Sequence, residues 1–427
     1  MLVPLLAAAA CAVPPTAQPR ADRAHYTLDV RVSPTLREVT GSVYVRFTAS
    51  RPTDRLVFRL WPNGFRQRRE GMRLDVGRPS SPDSDIRAER PDPTTLVVRV
   101  RGGLSTGGTV HVYVPWRLRV PAARLDRISR FRGGVRLGSF FPILSWDPHR
   151  GWVTDPLARI LGESSTTPAA DFEVRMHMPR GTSALVSGVR TGKGRWRADA
   201  VRDVAVAVAP FRIVTATAHA PQAVTVRVGV PRGTEADAHT FARYAVRALE
   251  RLSRKYGPYR WPRYTLVDAP DLVAGGIEYP TLSFIGGSSY LRAVIDHETA
   301  HQWFYSLVGN DQARDPWLDE TLATWSQQRI DGLIRPPRRN LPAGARRHVG
   351  APMSYWTRYP HAYFWGVYEE GANALRSLGN DDAVDCALRA YAARDAYAIA
   401  QPGDLLDELN RVIPGAQHRL RAWGIHR

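Results

Sequence analysis

The pentapeptide His297-Glu298-Thr299-Ala300-His301 constrains this chain more than any other stretch. Two histidines four residues apart on a helix lie on one face, one turn from each other. Their ring nitrogens can then converge on one metal ion. Glu298, beside the first histidine, is placed to act on water near that metal rather than to bind it. A catalytic zinc takes three protein ligands and keeps a fourth position open. The motif supplies two, so a third must come from elsewhere.

Glu320 is the candidate third ligand. It lies in Pro316-Trp317-Leu318-Asp319-Glu320-Thr321-Leu322-Ala323-Thr324-Trp325, which reads as a second helix with Asp315 as N-cap and Pro316 in its first position. Eighteen residues separate His301 from Glu320. That is enough to finish one helix, turn at Gly309-Asn310-Asp311 and begin an antiparallel partner. The set His297, His301 and Glu320 around one Zn2+ is the ligand set of thermolysin-type peptidases. A chance H-E-x-x-H would instead be an amphipathic helix with two half-exposed histidines. The helical context and the third ligand argue against that.

Composition adds class limits. The chain has 427 residues, 44% hydrophobic and 23% charged, enough for two domains with their own cores. A net charge of +19 invites a nucleic-acid reading, but of 59 basic residues only Lys193 and Lys255 are lysine. The arginines are scattered; the densest runs are Arg66-Gln67-Arg68-Arg69 and Arg335-Pro336-Pro337-Arg338-Arg339. No basic stripe with interleaved aromatics appears, so no specific nucleic-acid partner is expected. The apolar start, Met1 to Ala10 followed by Cys11, resembles a secretory signal and is too short to span a bilayer. Export is expected, with a candidate lipid attachment at Cys11; a cytoplasmic location is the alternative. Cys386, in an Ala-rich helical stretch, reads as a small buried residue. No transmembrane helix is expected.

Along the chain, residues 1–23 read as a signal or tail, 24–215 as an N-terminal β domain and 216–427 as a catalytic domain. Alternation marks strands at His25–Val32, Val39–Phe47, Leu56–Leu60, Leu96–Val100, Val110–Leu118 and Phe172–Met178. These predict an antiparallel β-sandwich or saddle-like sheet. The irregular stretch Gly133–Pro168 is expected to cross toward the active site. Beyond 216 the pattern predicts strands at Thr225–Val230 and Tyr264–Val267 and a helix over Thr234–Tyr256. The metal helix is expected over Ser289–Val308 and the Glu320 helix to Gly332. A long loop with a short helix over 333–360 and three further helices, Ala362–Leu378, Asp382–Arg394 and Asp404–Val412, complete an α+β fold.

Two further segments suit peptide chemistry. Gly275-Gly276-Ile277-Glu278-Tyr279 pairs glycines, which let a backbone approach a ligand, with a carboxylate that can hold an amine. Tyr363 and Tyr368 lie in an aromatic run ending Tyr368-Glu369-Glu370-Gly371. A phenol there can donate to the oxyanion formed when water attacks a carbonyl.

These segments, in this order and spacing, resemble the gluzincin aminopeptidases, the family of aminopeptidase N and the leukotriene hydrolases. That family carries G-x-M-E-N, H-E-x-x-H, W-L-N-E-G and Y-E-K-G. The resemblance implies a thermolysin-like catalytic domain behind a β domain, without the family's large helical C-terminal domain. It implies His297, His301 and Glu320 as zinc ligands, Glu298 as general base and Tyr368 as oxyanion donor. Glu278 would anchor the substrate amine, with Gly275, Gly276 and Tyr363 completing the peptide site. Asp319 would orient a ligand by hydrogen bonding. The chain departs from the pattern at Tyr279, Asp319 and Glu370, and the N-terminal-domain motif that adds a second amine contact is not recognisable. The function implied is removal of N-terminal residues from short peptides. The alternatives are endopeptidase or other small-substrate hydrolysis on the same site, and a non-catalytic peptide-binding scaffold.

Overall fold

Strict alternation along His25–Val32 buries Tyr26, Leu28, Val30 and Val32 and leaves the intervening side chains toward solvent. This strand lies within a seven-stranded sheet, ordered Val189–Gly192, Arg195–Val201, Ala170–His177, His25–Val32, Glu38–Thr48, Thr109–Arg119, Arg73–Val76. A four-stranded sheet runs Ile143–Leu144, Thr53–Arg59, Thr95–Leu104, Ile86–Asp92. The computed structural model describes residues 12–427, apart from 123–126, 132, 161–165, 273, 274, 288 and 336. The signal and lipid readings on Met1–Cys11 therefore lie outside the described residues.

One pairing departs from the antiparallel expectation. His25–Val32 is parallel to Ala170–His177. A parallel pair needs a long crossover, and here most of the β domain lies between the two strands. Alternation along a strand records which face is buried, not the direction of its neighbour. The stacked rings of Tyr26 and Phe172, 4.5 Å apart, close the core over this junction.

The second half is built on a five-stranded sheet: Phe211–His219, Ala223–Pro231, Arg263–Asp268, Leu282–Ile285, Gly276–Tyr279. Phe211–His219 spans residue 215 and pairs along its whole length with Ala223–Pro231. Gly276–Tyr279 is the edge strand, antiparallel to Leu282–Ile285. The helix Ala238–Tyr256 is capped by Asp237, whose carboxylate accepts from the backbone N–H groups of His239 and Thr240. It clamps the two helices of the site. Arg247 forms two bonds to Asp296, at 3.0 and 2.8 Å, and a third to the carbonyl of Ile330, at 2.7 Å. Arg251 reaches the same carbonyl at 2.6 Å, near the C-terminal end of the Glu320 helix.

The H-E-x-x-H helix is shorter than its sequence pattern suggested, running Leu291–Ala300 with His301 as C-cap. The chain then folds back: the N–H of Ser306 bonds the carbonyl of His301 at 2.9 Å, and that of Val308 the carbonyl of Trp303 at 3.0 Å. Trp303, Phe304 and Leu307 stay buried through this turn, so their apolar spacing mimicked a longer helix. Gly309–Asn310 pairs with Ile399–Ala400 as a two-residue strand instead of being only a turn. The Glu320 helix runs Trp317–Asp331 and ends on Gly332 at φ 76°. The helix expected over Ala362–Leu378 divides into a π-helical stretch, Phe364–Glu369, and an α-helix, Glu370–Arg376.

Cys386 is buried, as expected, but it is disulfide-bonded, which an Ala-rich helical context cannot reveal. Among the described residues no helix is long and apolar enough to cross a membrane.

Candidate active site

The His297 and Glu320 helices pack so that three side-chain atoms meet. Nε2 of His297 and Nε2 of His301 are 3.2 Å apart. Oε2 of Glu320 lies 3.3 Å from the first and 3.4 Å from the second. Ligands of a tetrahedral ion bonded at about 2.0 Å are separated by about 3.3 Å, so the triangle has the dimensions a zinc ion requires. Nδ1 of His301 lies 3.0 Å from the carbonyl oxygen of Phe304, which only accepts. Nδ1 therefore carries the proton, and the lone pair of Nε2 points into the triangle.

Glu320 is held as a carboxylate. Burial opposes its charge, but the adjacent His297 and His301 rings outweigh this and keep its pKa well below the ordinary value. Asp319 hydrogen-bonds the ligand residue Glu320, through that residue's backbone. Its carboxylate accepts from the Glu320 N–H at 2.9 Å and from Gln312 Nε2 at 2.8 Å. Burial, with Glu320 adjacent, pushes it up to about 8.

Glu298 projects from the same helix toward the edge strand. A Cβ on Gly276 would sit 2.4 Å from Cγ of Glu298. The space made by that glycine is therefore filled by Glu298 rather than kept for a ligand. Gly275, at φ 67°, adopts a backbone that favours glycine. Oε2 of Glu298 and Oε1 of Glu278 are buried without a hydrogen-bond partner, as is the hydroxyl of Tyr363. Burial raises the pKa of both carboxyls, and for Glu298 the nearby Glu278 adds to the effect. Glu278, Glu298 and His301 bring side-chain ligand atoms within 4.8 Å of one another. Buried polar atoms without partners are uncommon in folded proteins; three around one cavity mark where a polar ligand belongs.

Two devices fix these groups. The Gln302 amide bonds both sides of the edge-strand turn, donating to the carbonyl of Tyr279 at 3.0 Å and accepting from the N–H of Thr281 at 2.8 Å. Glu278 is thus tied to the end of the histidine helix. Gly371 lets the tyrosine segment approach the Glu320 helix, since a Cβ there would lie 2.1 Å from Thr321 Oγ1. Thr321 in turn donates to the carbonyl of Val367 at 2.6 Å. Tyr368 then stacks on His297 at 5.8 Å, and Tyr363 meets Tyr368 edge-on at 5.7 Å. The π-helical turn that aims Tyr368 is of a kind frequent at functional sites, and nothing in the aromatic run announced it.

The cavity above these groups has a volume of about 460 Å³, within the range of ligand pockets. All nine residues selected from the sequence line it: Gly275, Gly276, Glu278, His297, Glu298, His301, Glu320, Tyr363 and Tyr368. The opposite wall comes from the β domain: Trp61, Arg66, Gln67, Arg127 and Ile160. These were missed. Gln67 stood in what read as a basic run, and the structure makes that run a five-residue helix, Phe65–Arg69. Arg127 lies over the Trp61 ring at 4.6 Å and donates to the Tyr279 hydroxyl at 3.3 Å. Tyr279, where the resembled family has asparagine, thus braces the far wall. Gly138 makes room for its ring, a Cβ there falling 2.2 Å from the Tyr279 hydroxyl.

Known proteins resemble this chain in sequence and in fold. Residues 242–354 match the peptidase family M1 domain. A mouse protein named aminopeptidase RNPEPL1 is 41% identical over 90 residues, covering 19% of this chain and 12% of that protein. Rat aminopeptidase B is 38% identical over 85 residues, covering 18% and 13%. The chain spans about an eighth of the length of these relatives. An M1 zinc metallopeptidase from Deinococcus radiodurans superposes with a TM-score of 0.69 at 21% identity, over 96% of this chain and 95% of that one. The likeness extends to both domains and shows a shared two-domain fold. A mutant of that metallopeptidase has been seen with a Tyr-Ser-Ala substrate.

Proposed function

We propose that this chain, which belongs to the gluzincin aminopeptidase family, is itself a zinc-dependent aminopeptidase that removes N-terminal residues from short peptides. The observation that carries this reading is the triangle of His297, His301 and Glu320 beside three unpartnered buried polar atoms. Zinc held by these three residues would polarise a carbonyl oxygen and make water acidic enough to attack near neutral pH. Each remaining step belongs to the protein. The edge strand Gly276–Tyr279 offers backbone groups to an extended peptide. Glu278 accepts the substrate's α-ammonium, which limits cleavage to the first bond. Glu298 takes a proton from the attacking water at its carboxylate and passes it to the leaving amine. Tyr368 donates its phenolic hydrogen to the oxyanion, while Tyr363 packs edge-on against it. Asp319, itself held by Gln312, accepts from the Glu320 backbone N–H, and the N-terminal wall limits access of water.

The deciding experiment compares unblocked and N-acetylated di- and tripeptides, with and without chelator. Chelator-sensitive cleavage of the unblocked set alone is expected. Equal cleavage of the acetylated set removes Glu278 as amine anchor and makes the protein an endopeptidase or a hydrolase of other small substrates.

Export is also part of the proposal. A disulfide at Cys386 supports an oxidising compartment. The chain has two cysteines, so within one chain a lipid on Cys11 and a disulfide at Cys386 are alternatives. Mass spectrometry of the protein purified without reductant distinguishes them; a mature protein that begins at Met1 removes export.

A further inference from the structure

The rim of the cleft differs from its floor. Ten large hydrophobic side chains are exposed among the described residues, and five of them, Phe65, Tyr290, Leu333, Ile334 and Phe364, line the cavity or lie within two residues of one that does. They are between 42% and 66% exposed. Scattered single apolar residues are ordinary on a surface, but a concentration at one opening marks an interaction site.

Arginines accompany them on both walls. On the β-domain side Arg159 lies over the Phe65 ring at 5.1 Å and Arg69 at 5.8 Å. On the catalytic side Arg338 lies over the Trp365 ring at 4.2 Å, beside the exposed Phe364. The loop that follows the Glu320 helix supplies Leu333, Ile334, Arg338 and Arg339, all exposed. Stacking on aromatic rings holds a guanidinium by its face and leaves its edge free to donate. The floor, in contrast, is acidic, with Glu278, Glu298 and Glu320 all buried. Charge therefore changes sign between floor and mouth. A ligand complementary to both is positive where it enters deepest and negative, with apolar side chains, where it emerges.

We propose that this rim is a docking collar for the downstream part of a peptide, selecting substrates with acidic residues beside large apolar ones beyond the scissile bond. The inference rests on the aminopeptidase reading: the amine end lies on the carboxylate floor, so the rest of the chain must leave through the collar. Acidic residues there meet the arginine edges, and apolar ones meet Leu333, Ile334, Phe65 and Phe364. A bilayer fits the same rim chemistry less well, because a flat surface does not follow a concave opening and would close it.

The test uses a dipeptide and three octapeptides with the same first two residues, the octapeptides differing only in glutamate, glutamine or lysine at positions four to seven. For the glutamate peptide kcat/KM is expected to exceed that for the lysine peptide by about tenfold or more at low ionic strength, with the difference shrinking in about 0.5 M salt. In Arg338→Glu/Arg339→Glu the ratio of glutamate octapeptide to dipeptide, both measured on that variant, should fall by a similar factor. Equal rates for all three octapeptides while the dipeptide is cleaved overturn the collar and leave the aminopeptidase reading standing. Binding of the same labelled peptides to Glu298→Gln, followed by anisotropy, separates the opposite case. Charge-selective binding without dipeptide turnover by the wild type keeps the collar and removes the reading. Sedimentation with phosphatidylserine vesicles that Arg338→Glu/Arg339→Glu abolishes, without peptide selectivity, makes the rim a membrane contact and overturns the proposal.

Discussion

Two groups of buried carboxylates in this protein are treated in opposite ways. Asp385, at the centre of the helical half, has every oxygen engaged. Oδ1 accepts from the Tyr256 hydroxyl at 3.0 Å and Trp325 Nε1 at 2.9 Å, and Oδ2 from Lys255 at 2.6 Å and Arg329 Nε at 2.8 Å. Glu278 and Glu298, which line the cleft, each keep one buried oxygen without a partner. A satisfied buried acid holds helices together. An unsatisfied one costs stability in the free protein, and that cost is offset only when something binds. The contrast separates scaffold from machinery without reference to any motif.

Substitutions can break this distinction, and the largest effect is expected at the unsatisfied group. Glu298→Gln should lower turnover by roughly two to four orders of magnitude while leaving zinc content, measured by atomic absorption, unchanged. Wild-type turnover in that variant would falsify the general-base role. Asp385→Ala should act on the other axis, costing about 3–5 kcal/mol in denaturant unfolding because Lys255 and Arg329 lose a partner. Its kcat per folded molecule should stay near wild type; a selective loss of kcat with normal stability would place Asp385 in the machinery.

Tyr368→Phe should depress kcat by about a hundredfold with metal content retained. A variant that is merely less stable makes Tyr368 a packing residue instead. Gly276→Ala sharpens the same point, since its Cβ must displace Glu298. Turnover should fall by up to about a hundredfold, the scale of a misplaced catalytic group, with little change in Tm.

The smallest effect concerns pH. Asp203 is buried between the two halves, accepts from Ser139 at 2.8 Å, and is pushed up to about 7 by burial. Its folded pKa exceeds the unfolded value near 4, so the folded state holds the proton more tightly. The stabilising contribution is complete below about pH 4 and is lost as pH rises through about 7. Asp203→Asn should therefore flatten the decline of Tm between pH 5 and pH 8; an unchanged slope assigns the decline to other groups.

Sequence alone determined the inner wall of the cleft. The spacing of His297, Glu298 and His301 is local to one helix, and helical periodicity converts it directly into geometry. Glu320, Glu278, Tyr363 and Tyr368 were legible because their flanking residues carry a recognisable order. Alternation likewise revealed strands such as His25–Val32, since a half-buried strand shows its inner face residue by residue. Tertiary structure alone decided the rest. The direction of the Ala170–His177 strand, the fold-back after His301, the π-helical turn that aims Tyr368 and the far wall of Trp61, Gln67 and Arg127 all depend on contacts between residues distant in the chain. Arg127 and Tyr279 are 152 positions apart, and no local pattern encodes a meeting at that distance. A motif records what one element presents; which elements face it across the cleft is set by how the two domains pack.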